Sequence, residues 1–146
     1  MTRLKQGYFH LFGRLNAFEE AWVAGLLGEG EFPFFEKMHR ADRFHCCRVA
    51  QCLEKAGAPL HVLKAALLHD FGKPASYGLL SRTLAVLNFP FALEVKKNHP
   101  REGAKKLEGV LGKEALELIL FHHEKEKKVV VTFPWLDKLQ EADGLN

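Results

Sequence analysis

The stretch Leu67-Leu68-His69-Asp70-Phe71-Gly72-Lys73-Pro74 closes a helix that starts with Pro59 in its first turn, because Gly72 favours a helix end and Pro74 cannot continue one. Positions i, i+3, i+4 and i+7 of a helix share a face. Asp70 therefore continues the row Leu63, Ala66, Leu67, and His69 continues Val62, Ala65, Ala66. Both polar side chains are predicted to point inward, at the end of an apolar helix. A buried, isolated carboxylate costs several kcal/mol or more, and a buried imidazole needs partners for both nitrogens.

Outward from this stretch the same pattern recurs. His45 shares a face with Val49, Cys52 and Leu53 on a helix predicted from His39 to Ala56, closed by Gly57. His122 and His123 lie three and four residues beyond Ile119, on a helix from Lys113 to Glu124. Asp143 completes the row Leu136, Leu139 in a last helix that starts at Pro134. Asn98 or His99 is predicted to cap another helix, with Pro100 at its start and Glu102 near the capping-box position. A first helix spans Leu11 to Leu27 and ends at Gly28-Glu29-Gly30, before an extended Phe32-Pro33-Phe34-Phe35. Those glycines are turn chemistry, since Glu31-Phe32 follow where a phosphate loop needs Lys-Ser/Thr. Leu79 to Val95, interrupted by Pro90, reads as plain core, a lid or a dimer contact, and only Val129 to Phe133 resembles a short β run. The fold class is all-α, a bundle of six to seven helices.

At 146 residues and 47% hydrophobic composition, the chain has the length and apolar content of a single domain, residues 1–146, with the motif-bearing core from about residue 39 and a helical extension over 1–38. Its 21 Lys+Arg against 18 Asp+Glu leave +3, so bulk charge does not select a nucleic-acid or membrane partner. Arg14, Glu19, His69, Asp70, Arg82 and Lys96 interrupt every stretch long enough to span a membrane, and His10, Arg14 and Glu19 break up any signal-like segment. A cytoplasmic location is expected. Cys46, Cys47 and Cys52 are then reduced thiols, acting as small core residues. The compositional outlier is eight histidines.

Two aspartates and several histidines converging in one interior lack cations to pair with. A divalent metal resolves this, because imidazole nitrogen and carboxylate oxygen are its ligands and its charge offsets the carboxylates. Mixed His and Asp without a Cys set favours Mn, Fe, Co, Ni or Zn over Ca, and more than four ligands favours five- or six-coordinate geometry or two ions.

With these residues in hand, the sequence resembles the HD-domain superfamily of metal-dependent phosphohydrolases, whose order is a histidine, a His-Asp pair, further histidines and a distal aspartate. The matching positions are His45 in Arg43-Phe44-His45, His69-Asp70 in the opening stretch, and Asp143 in Leu139-Gln140-Glu141-Ala142-Asp143. Asn98-His99-Pro100 and Phe121-His122-His123-Glu124 look like the additional histidine motifs of two-ion subfamilies. The segment Ala65 to Ser76 also looks like that of bacterial CCA-adding tRNA nucleotidyltransferases, without their nucleotidyltransferase domain. No Gly-Tyr-Pro follows His122-His123, which sets the chain apart from the cyclic-di-GMP phosphodiesterases of the superfamily.

The resemblance implies that His45, His69, Asp70 and Asp143 hold a first ion and that His99, His122 and His123 build a second site with Asp70 bridging. One of His122 and His123 can instead stand behind the ligands. It implies hydrolysis of a phosphomonoester or phosphodiester, of a nucleotide, by metal-activated water, with Asp70 at the catalytic centre. Lys73 is the candidate for gripping a phosphate oxygen, against the alternative of a solvated surface lysine. Lys96, Lys97, Arg101, Lys105 and Lys106 either favour an anionic substrate or form a solvated helix face. Two other readings stay open: a catalytically silent metal-binding module that acts through a partner, and a di-iron oxygenase of the kind built on this fold. Nucleic-acid binding and homo-oligomerisation also stay open.

Overall fold

Asn16 lies at φ −86°, ψ 170° and its side chain accepts from the Glu19 N–H at 2.9 Å, while the Glu19 carboxylate accepts from the Asn16 N–H at 3.0 Å. This reciprocal capping box starts α1 (Ala17–Glu36) later than the Leu11 that apolar spacing predicts. The computed structural model describes residues 13–74 and 90–146, so most of the stretch from Leu79 to Val95 lies outside the described residues. Seven helices are present among the described residues and the fold is all-α.

Gly28, at φ 70° and ψ 179°, breaks α1 where a turn is expected, but helix resumes at once and Phe32-Pro33-Phe34-Phe35 is helical, not extended. Pro33 lacks only the N–H that would reach the first residues of the resumed segment, a small loss. Helical spacing in return buries Phe35, 6.3 Å from the Phe32 ring, and sets Phe34 edge-on to Phe71 at 5.5 Å.

His39 caps α2 (Arg40–Lys55), its Nδ1 accepting from the Ala41 N–H at 3.2 Å. Cys46 and Cys47 are buried, whereas Cys52 is exposed and does not belong to the core row assigned to it, because the His45 row runs along the edge of the buried face. All three thiols are free. In α3 (Leu60–Leu68) the regular helix stops at Leu68, and His69 to Gly72 continue as turns. The expected cap at Asn98 or His99 does not form: α4 (Pro90–Lys106) runs through both and through Pro100. The missing Pro100 N–H would have reached the exposed Lys96, while burial of His99, Pro100, Ala104 and Leu107 holds the helix together.

Beyond α5 (Lys113–Phe121), the predicted β run is instead α6 (Lys127–Thr132). A lone strand would leave its amides unpaired, whereas here Val130 donates to the Glu126 carbonyl at 3.1 Å and Phe133 to that of Val129 at 3.3 Å. Phe133 then stacks on Phe121 at 4.7 Å, and Trp135, at φ 73°, turns the chain so that α7 (Leu136–Leu145) starts two residues after Pro134.

The core joins Val23, Leu27 and Phe35 of α1 to Val49 and Leu53 of α2, Leu63 and Leu67 of α3, Ile119 of α5 and Leu139 of α7. α1, the first helix among the described residues, is thus part of the same core as the motif-bearing helices. α3 packs against α1, α2 and α5, α4 against α5, and α7 against α2. Where α3 ends, the chain meets α4 backbone to backbone: a Cβ at Gly72 would overlap the His99 carbonyl oxygen and stand 2.6 Å from the Gly103 nitrogen. Among the described residues, no helix is long and apolar enough to cross a membrane.

Candidate metal centre

Three helix ends and two helix middles bring their polar residues to one common region, with His123 at its exposed edge. His45 comes from α2, His69 and Asp70 from the turn after α3, His99 from α4, His122 and His123 from the turn after α5, and Asp143 from α7. The structure brings all seven together. Candidate ligand atoms of His45, His69 and Asp70 lie within 4.8 Å of one another, as do those of His99, His122 and His123. Asp143 Oδ1 stands 2.8 Å from His45 Nε2 and 3.5 Å from His69 Nε2. Asp70 Oδ1 lies between the groups, 3.6 Å from His69 Nε2 and 3.4 Å from His99 Nε2.

Backbone carbonyls fix the orientation of three of the rings. His69 Nδ1 lies 2.8 Å from the Ala66 carbonyl, His122 Nδ1 2.6 Å from that of Ile119, and His99 Nδ1 3.3 Å from that of Val95. A carbonyl only accepts, so each Nδ1 carries the hydrogen and each Nε2 is left to meet the site. The consequence is a convergence of electron pairs: His99 Nε2 and His122 Nε2 face each other at 3.2 Å, and His69 Nε2 faces two carboxylate oxygens. His69 Nε2 is buried without a hydrogen-bond partner. Such an arrangement needs cations. Imidazole nitrogens steadied through their other nitrogen, with carboxylates beside them, fit a divalent transition metal.

Protons are the competing cations, and the two groups treat them differently. Burial pushes the His69 imidazole down, but neighbouring negative charge outweighs this and holds it well above its ordinary value. Asp70 supplies that charge, since burial raises the Cys46 pKa and keeps it a neutral thiol. Burial likewise pushes the Asp70 and Asp143 carboxyls up, and Lys73 with His69 in one case, His45 with His69 in the other, bring them well below the usual carboxylate range. In the other group, burial and the adjoining imidazoles hold His122 well below its ordinary value, and burial with His99 lowers His123 to about 4.

Lys73 is neither free nor solvated: its side chain is 15% exposed and its ammonium stands 2.5 Å from Asp70 Oδ2. That contact is a charge contact in poor hydrogen-bond alignment, as Asp70 Oδ2 has no hydrogen-bond partner. Asp42 Oδ1, on a side chain 3% exposed, is 3.9 Å from the same ammonium. Asp42 escaped the sequence reading although it heads the buried row Cys46, Val49, Leu53. Cys46, with Sγ 3.6 Å from His69 Nδ1, and Gln140, which donates to the Glu124 carbonyl at 2.6 Å, also border the site without a sequence signal of their own. Lys96, Lys97, Arg101, Lys105 and Lys106 are all exposed on α4, the helix that carries His99.

The HD domain family model matches residues 44–143, about two thirds of the chain. No curated protein and no solved structure matches it.

Proposed function

The chain belongs to the HD domain family, that of the metal-dependent phosphohydrolases, and from this premise we propose that it hydrolyses a phosphomonoester or phosphodiester bond of a nucleotide. The observation that carries the reading is the orientation of His69, His99 and His122, whose carbonyl-anchored Nδ1 atoms leave three Nε2 atoms converging around Asp70. His45, His69, Asp70 and Asp143 would hold a first divalent transition metal, and His99, His122 and His123 a second, with Asp70 reaching both. When bound, such ions (Mn, Fe, Co, Ni or Zn) supply Lewis acidity, lowering the pKa of a water toward neutrality and offsetting charge on phosphoryl oxygens.

The remaining work falls to side chains of this protein. Asp70, the catalytic carboxylate, stays ionised at neutral pH because Lys73 and His69 stand beside it. His122 and His123 stay neutral and keep their electron pairs available. Lys73, beside Asp70, would donate to a phosphate oxygen, and the exposed cations of α4 would favour an anionic substrate.

The test is elemental mass spectrometry on protein purified without chelator or added tag, beside Asp70→Ala, followed by nitrophenol release from mono- and bis-nitrophenyl phosphate and chromatographic detection of nucleotide hydrolysis products. Wild type should carry one or two transition-metal ions per chain, lost in the variant, and should hydrolyse an ester only when loaded. A wild type that takes up no ion from Mn, Fe, Co, Ni or Zn would sink the reading. Loading without turnover of any ester would leave a silent metal-binding module, and oxygen consumption by an iron-loaded chain would make it an oxygenase.

A further inference from the structure

The two ligand groups sit on different helices, yet Asp70 Oδ1 lies within 3.6 Å of an imidazole nitrogen of each. Something other than the ligands must hold that gap. Two contacts span it. Gly72, two residues after Asp70, lies so close to α4 that an added Cβ would overlap the His99 carbonyl oxygen, and a Cβ on Gly103 would come 3.0 Å from the Gly72 nitrogen. Gln140, three residues before Asp143 on α7, donates through Nε2 to the Glu124 carbonyl at 2.6 Å and lies 3.4 Å from that of Phe121. Those carbonyls flank His122 and His123, at a helix end where carbonyls lack intrahelical partners.

We propose that Gly72 and Gln140 are positioning residues that set the spacing of the two half-sites. Gly72 fixes the Asp70 turn against His99, and Gln140 ties the His122-His123 turn to the helix that carries Asp143. Neither has an atom that needs to touch a metal or a substrate. Any side chain at position 72 displaces Asp70 from α4, and loss of the Gln140 amide releases the turn that carries two imidazoles. Both changes separate the groups without altering His45, His69 or Asp143. The inference rests on the two-ion reading of the site.

Calorimetric titration of chelator-treated protein with Mn²⁺, together with the visible spectrum of the Co²⁺-loaded form, tests this in wild type, Gly72→Ala and Gln140→Leu. Wild type should take two ions. Each variant should keep the first ion and its Co²⁺ spectrum, with the second bound about 10–100-fold more weakly, the range seen when supports of metal ligands are removed. Two ions bound with unchanged affinity in both variants would overturn the inference, as would equal weakening of both ions. A wild type with a single ion also overturns it, whereas a wild type with none removes the functional reading itself. If Gly72→Ala fails to fold, Gly103→Ala, whose Cβ meets a less crowded contact, takes its place beside Gln140→Leu.

Discussion

The half of the centre built on α2, α3 and α7 carries two carboxylates, whereas the half built on α4 and α5 carries three imidazoles and no acid. The first is already furnished with positive charge, from Lys73 at 2.5 Å from Asp70 and from a His69 held well above its ordinary pKa. The second resists protons, with His122 and His123 both held below theirs. One interior thus holds a group of side chains that favours an added proton and a group that disfavours one. Asp70 Oδ1 stands within 3.6 Å of an imidazole nitrogen of each group, and its substitution probes the difference most severely.

Asp70→Asn should remove the bridge and leave Lys73 buried without its partner. Metal content in both halves should fall, phosphoester turnover should drop by more than the about 100-fold typical of outer supporting residues, and the chelator-treated protein should lose about 3–5 kcal/mol in urea unfolding. Unchanged metal content would mean that the halves do not share this carboxylate. Lys73→Met is the next largest change. It should destabilise chelator-treated protein by about 3 kcal/mol, and added Mn²⁺ should recover most of that loss by replacing the missing charge. Equal destabilisation with and without Mn²⁺ would refute the role of Lys73 as the local counter-charge.

Acid and base should separate the halves in chelator-treated protein. His69 has a raised pKa, so its contribution is complete below about 6.5 and is lost as pH rises through the raised value. His122 and His123 have lowered values, so theirs is complete above about 6.5 and is lost as pH falls, for His123 toward about 4. Thermal unfolding across pH should show greatest stability near neutrality and a decline on both sides. A flat profile from pH 4 to 7 would contradict the histidine-only half. Gly28→Ala supplies the smallest effect and a control: at φ 70° and ψ 179°, backbone that glycine alone adopts readily, with open space around it, the change should cost about 2 kcal/mol and leave metal content unaltered.

Local periodicity exposed the candidate ligands because a histidine or aspartate in an apolar row is anomalous wherever the row leads. It also exposed Gly57 as a helix end, whereas the helix expected to close at Gly72 gives way to turns after Leu68. It failed where tertiary packing outweighed local preference: Phe32 to Phe35 became helical because that geometry packs their rings, Val129 to Phe133 have no strand to pair with among the described residues, and Pro100 was carried inside α4 by burial of its neighbours. The Asn16-Glu19 capping box is written in the sequence and overrides the apolar spacing that points to Leu11. Gln140 gave no signal, since a glutamine on a helix is ordinary until its amide finds another helix's carbonyls.

The sequence by itself determined the all-α class, the inventory of imidazoles and carboxylates, and the inward direction of all of them but His123, which is exposed, because side-chain direction on a helix follows from a period of 3.6 residues. Only the tertiary structure decided that Asp70 stands between two groups, that Lys73 is held against it, and that each anchored imidazole turns Nε2 toward the centre. The physical reason is one of range. A helical period orients neighbours along one element, while distances between elements are set by backbone approaches such as Gly72 against α4, which depend on both partners at once.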